Sequence, residues 1–120
     1  MINILAIFIG GGLGSLCRYG ISKLFNTFFL SQFPLGTFIS NTLSCIILAL
    51  VVITFEGKVS TSMTSKLFLI TGFCGGFSTF STFSFETFEL LKTGNFTIAL
   101  LNIVLSIVVG VSLLFFILKD

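Results

Sequence analysis

Four stretches of this chain are each long and apolar enough to cross a bilayer, and the third contains residues that a spanning helix should not tolerate. A spanning helix needs roughly 20 mostly apolar residues. Residues 2–29, 34–55, 63–92 and 96–118 meet that length and leave no soluble domain. Of the 120 residues, 55% are hydrophobic and 8% charged, whereas a soluble domain carries roughly 25% charged residues. The class is therefore all-α integral membrane, organised as one four-helix transmembrane domain. The start Met1-Ile2-Asn3-Ile4 lacks the basic region of a cleavable signal peptide, so none is expected. Pro34 suits the opening of the second helix, where its missing donor costs nothing. Glu56-Gly57-Lys58 and Gly94-Asn95 read as the connections on either side of the third span.

The third span carries the run Gly72-Phe73-Cys74-Gly75-Gly76-Phe77-Ser78-Thr79-Phe80-Ser81-Thr82-Phe83-Ser84. Glycine costs about 1 kcal/mol against alanine in a helix interior, so the adjacent pair predicts a helix broken over residues 74–78. Non-helical backbone at membrane depth survives only where protein or a water-filled cavity shields it. A break frees carbonyls before it and amides after it; such carbonyls suit a cation and such amides an anion. Ser78 or Thr79 is a natural cap for the second half-helix. The bland alternative is a kink that serves packing alone. Phe80 and Phe83 lie about 60° apart around a helix and share a face. Their rings are either packing or, presented edge-on, a positively polarised surface for a small anion. Ser81 and Thr82 interleave hydroxyl donors.

Two further polar stripes run at helical spacing: Thr37, Asn41 and Ser44 in the second span, and Asn102, Ser106 and Gly110 in the fourth. They either hydrogen-bond between helices or form a ladder of neutral donors along a solute path. Gly10, Gly11, Gly12 and Gly14 give the first span a close-approach face. Arg18 and Glu86 are the most deeply placed charges, each readable as a snorkelling anchor. Arg18 alternatively ties down the bundle or makes the local potential positive. Cys17, Cys45 and Cys74 sit in apolar segments and there is no histidine, which leaves no disulfide framework or zinc site. The net charge of +2, from scattered residues, gives no case for nucleic acid.

Orientation in a membrane follows Lys/Arg asymmetry between loops. With four spans, Lys58, Lys66 and Lys119 fall on one side and Arg18, Lys23 and Lys92 on the other, three against three. Either the first helix fixes one orientation, or copies insert both ways and pair as an antiparallel homodimer. Four packed helices fill their own centre, so a solvated path is easier to build between subunits.

Three stretches carry a resemblance: Gly11 to Tyr19, then Pro34-Leu35-Gly36-Thr37 leading to Asn41, then Gly72 to Ser84. They resemble the Fluc/CrcB fluoride channels, and the resemblance covers all four spans. It implies a passive, selective fluoride exporter of the bacterial plasma (inner) membrane, built as an antiparallel dual-topology homodimer with two pathways. It also implies a structural sodium ion at the dimer centre, held by the backbone carbonyls of Gly75 and Ser78. Phe80 and Phe83 would present ring edges to fluoride, and Asn41, Ser81, Thr82, Ser106 and Asn102 would donate hydrogen bonds along the path. Arg18 would stand near the vestibule. The chain has Ser78 where threonine is common, and Ser40 and Ser44 where valine and glycine are usual.

A proton-coupled drug exporter would want a carboxylate in the first helix, and residues 2–19 contain none. An adaptor subunit would use the broken helix only as an interface. An enzyme is disfavoured, because no nucleophile–base pair or metal constellation is present.

Overall fold

The computed structural model describes residues 1–56 and 62–119. Lys58, counted in the charge tally, lies outside them. Helix α1 (Ile2–Phe28) and helix α2 (Leu35–Phe55) are 27 and 21 residues long. The third span starts as α3 (Met63–Lys66), continues through π-helical turns over Leu67–Cys74, and ends its first half with α4 (Gly75–Phe77). After an interruption it resumes as α5 (Phe80–Lys92), and α6 (Phe96–Leu118) completes the chain. At about 1.5 Å per residue, α2 and α6 each reach across a hydrocarbon core of about 30 Å. Among the described residues four helices are thus long and apolar enough to span a membrane, Met63–Lys92 counting as one. Pro34 differs slightly from expectation: it caps α2 from outside, at φ −76° and ψ 76°, rather than opening the helix.

The interior is built mostly from small and polar residues, with Phe77 and Leu90 as large apolar side chains among them. Ala6, Gly10, Gly14, Gly36, Ser40, Ser44, Ala49, Gly72, Ala99 and Asn102 are buried, while Phe8, Leu16, Leu100 and Val111 face outward. That inversion suits lipid, where apolar side chains gain nothing by leaving the tails and helices associate by close packing. The tightest contact joins α1 to the first half of the third span. A Cβ on Gly10 would lie 3.1 Å from Phe73 N, one on Gly14 2.8 Å from Phe77 N, and one on Gly76 3.0 Å from Gly11 Cα. Backbone meets backbone there, so no neighbour can step aside. Gly36 does the same for α2 against Ser22 of α1.

The interruption is real but lies later than the glycine pair. Cys74 and Gly75 are both right-handed helical, at φ −64°. The extended residues are Ser78 (φ −86°, ψ 159°) and Thr79 (φ −152°, ψ 123°). Gly76 is needed as a helical contact surface for Gly11, not as a breaker. The chain instead opens where α2 offers a competing partner. Thr79 N donates to Asn41 Oδ1 at 2.7 Å, and Asn41 Nδ2 donates back to Thr79 O at 3.2 Å. Thr79 then caps α5, its Oγ1 accepting from Thr82 N at 3.2 Å.

The packing makes a contrast that can be measured. Gly76→Ala should destabilise the folded protein by on the order of 1–3 kcal/mol, the usual penalty for overpacking. Gly20→Ala, with nothing within 4 Å of its new methyl, should be neutral or slightly stabilising. The monodisperse fraction surviving a heat step, followed by size-exclusion chromatography, reads the difference; equal survival would remove the glycine contact from the account.

Candidate ion pathway

The break opens a cavity of about 300 Å³ where α2, α5 and α6 meet, lined by Asn41, Cys45, Ser78, Thr79, Phe80, Phe83, Ser106 and Ile107. None of these side chains carries a formal charge. Phe80 and Phe83 stand side by side on α5, ring centroids 5.9 Å apart and planes tilted by 42°. Phe80 is 78% exposed on the single chain, so one wall of the cavity faces outward rather than into the core of the chain. The amide end of α5 points into the same region, adding the positive end of a helix dipole.

Hydrogen bonds around the break divide its carbonyls into two groups. Cys74 O accepts from Ser78 N at 3.0 Å, Ser44 Oγ at 3.0 Å and Ser78 Oγ at 2.9 Å, and is saturated. Gly76 O accepts from Arg18 Nε at 3.1 Å, which stitches α1 to the end of α4. Gly75 O and Ser78 O are in a different position. In a continuous helix they would accept from Thr79 N and Thr82 N. Those two amides are engaged by Asn41 Oδ1 and Thr79 Oγ1 instead. Gly75 is also exposed on the surface of the single chain.

A second cavity, of about 320 Å³, lies where α1 ends, α2 begins and α5 finishes. Asn26, Gln32, Glu86 and Glu89 contribute its polar lining. Glu86 does not snorkel freely: the residue is half-buried, and its Oε1 has neither solvent contact nor a hydrogen-bond partner.

The residues singled out from the sequence are thus brought together unevenly. Asn41, Ser78, Phe80, Phe83 and Ser106 line one cavity. Ser81 is exposed beside it, its Oγ 3.4 Å from Thr79 Oγ1, and Thr82 contributes its amide to the cap. Gly75 and Arg18 are not among the residues that line the cavity. Asn102 is 1% exposed and does not reach it. The polar stripe of α2 divides too: Ser44 serves an interhelical hydrogen bond, whereas Asn41 both pins the break and faces the cavity. Cys45 and Thr79 were not anticipated as lining. Cys45 could have been found as the residue one turn beyond Asn41. Thr87 was also missed; its position one turn after Phe83 was the available signal.

Comparison with known proteins bears on what such a cavity belongs to. The family model described as CrcB-like protein, Camphor Resistance (CrcB), matches residues 5–118. The Fluoride-specific ion channel FluC of Pyrococcus abyssi is 45% identical over 113 residues, covering 92% of this chain and 89% of that protein. Its namesake in Pyrococcus horikoshii is 44% identical over 109 residues, covering 91% and 87%. That of Flavobacterium psychrophilum is 41% identical over 110 residues, covering 92% and 89%. With a match that begins in the first helix and ends in the last, this chain belongs to the CrcB family.

Proposed function

We propose that the protein is a passive fluoride channel, not an enzyme, that lets fluoride leave the cell. The observation that carries the reading is the cavity at the break, lined by neutral donors and two phenylalanines. It occurs in a chain 45% identical to a protein named as a fluoride-specific ion channel. Hydrogen fluoride is a neutral weak acid that crosses lipid and dissociates in a neutral cytoplasm. An open anion path then lets the inside-negative potential drive fluoride out, at about 2.3 kcal/mol per charge per 100 mV.

The lining suits that task. A small, strongly hydrated anion needs several close donors to replace its water, and a formal positive charge would hold it too long. Asn41 keeps one amide hydrogen free after bonding Thr79 O. Ser106 supplies a hydroxyl, and the edges of the Phe80 and Phe83 rings supply positive quadrupole. Since Phe80 stands largely outside its own protomer, a second copy completes the wall, and balanced Lys/Arg placement supports antiparallel pairing of two such copies. The residues at the break also fit a sodium ion shared between those copies. Gly75 O and Ser78 O lack the donors of a continuous helix, and carbonyl oxygens are hard ligands suited to a hard cation. Bound there, the ion would supply a fixed positive charge and hold two breaks together.

Purified protein in potassium fluoride-loaded liposomes should release fluoride rapidly once valinomycin relieves the electrical gradient, while chloride-loaded vesicles stay full. Phe80→Ile or Phe83→Ile should slow release with the protein still assembled. Protein prepared in sodium-free buffer should release slowly until sodium is restored. Retention of fluoride equal to that of empty liposomes would sink the channel reading; unchanged flux in the two other arms would return the rings to packing and remove the cation. For pairing, C-terminal reporter fusions should read both sides of the membrane, and a signal from one side alone would reject antiparallel assembly.

A further inference from the structure

Among the described residues Asn102 is the largest fully buried side chain, and it sits at the centre of a directional chain of hydrogen bonds. Ser106 Oγ donates to Asn102 Oδ1 at 3.4 Å, Asn102 Nδ2 donates to Thr87 Oγ1 at 2.9 Å, and Thr87 Oγ1 donates to Phe83 O at 2.8 Å. The direction is fixed from the far end. Thr87 has one hydroxyl proton, and the backbone carbonyl of Phe83 can only accept it. Thr87 Oγ1 must therefore accept from its other neighbour, which turns the amide nitrogen of Asn102 toward it. The amide oxygen is left facing Ser106, and Ser106 has to be the donor.

The two ends of this chain are both cavity residues, Phe83 and Ser106, whereas Asn102 and Thr87 are not. The lengths matter as well. The bond that ties α6 to α5, Asn102 to Thr87, and the Thr87 bond within α5 are of ordinary length, but 3.4 Å is long for a hydroxyl donor, whose usual distance is about 2.7–2.8 Å. The Ser106 proton is thus held in a defined direction at little energetic cost to release.

We propose that Asn102 is a positioning residue for conduction, not a ligand of the permeating ion: it keeps the Ser106 hydroxyl loosely parked so that its proton can turn to an anion in the cavity. The inference rests on the fluoride-channel reading above. Without the Asn102 side chain, Ser106 falls back on the carbonyl one turn earlier, the ordinary habit of a helical serine. That bond is shorter and harder to surrender, so the donor is withdrawn from the path.

The test is a double-mutant cycle on fluoride efflux from liposomes, with Asn102→Leu, Ser106→Ala and the pair, each checked by size-exclusion chromatography. Asn102→Leu and Ser106→Ala should each slow efflux about tenfold, the effect of losing one hydrogen bond to a charged group. The pair should be no slower than Ser106→Ala alone, because Asn102 acts through that hydroxyl. If Asn102→Leu fails to assemble, Asn102→Ala replaces it in the same cycle. Multiplicative slowing in the pair, or wild-type efflux in either single variant, overturns the inference while wild-type conduction leaves the channel reading standing. A wild-type protein that releases no fluoride overturns both.

Discussion

The paired hydrogen bonds between the Asn41 amide and the backbone of Thr79 hold the third span open. A spanning helix in lipid has no water to satisfy a freed amide or carbonyl, so it opens only where a neighbour replaces what is lost. Asn41 offers a donor and an acceptor in one planar group, matching the C=O and N–H of one residue, Thr79. Because it takes the Thr79 amide, Gly75 O loses its helical donor; because Thr79 turns outward, its hydroxyl becomes the cap of α5. The free carbonyls, the fresh helix N-terminus and the outward Phe80 ring all follow from that one substitution of side chain for backbone.

Holding the break at the right depth falls to the glycines. Gly10 and Gly14 of α1 meet Gly72 and Phe77 of the third span at backbone distance. Arg18 extends the same seam by bonding Gly76 O. The first half of the span is therefore fixed to α1, while its second half packs on α6. Between these two attachments lies the region that can be neither purely helical nor purely apolar. The cavity forms there, lined by uncharged groups.

Much of this was legible in the sequence. The lengths of the apolar runs gave four spans whose limits agree with the helices to within a residue or two, because in a membrane length and hydropathy are nearly the whole constraint. The existence of a broken third helix was legible from its composition. Its location was not: Gly75-Gly76 looked weakest by intrinsic propensity, yet the backbone opens at Ser78-Thr79, where a residue 38 positions away supplies the bonds. Propensity is local and Asn41 is not. The same reason explains Asn102, whose spacing from Ser106 suggested a shared polar face but could not say that Thr87 would claim its amide. Arg18 was readable as a charge at depth, while its carbonyl partner depended on how closely α1 packs.

If Asn41 opens the helix and with it the path proposed for fluoride, removing its amide should close that path. Fluoride efflux from liposomes should be compared between wild type and Asn41→Leu, with assembly checked by size-exclusion chromatography. Leucine fills similar space but can neither accept from Thr79 N nor donate to Thr79 O. The expected result is intact protein whose efflux falls by at least about tenfold, equivalent to about 1.4 kcal/mol. Efflux at the wild-type rate from assembled Asn41→Leu protein would contradict it.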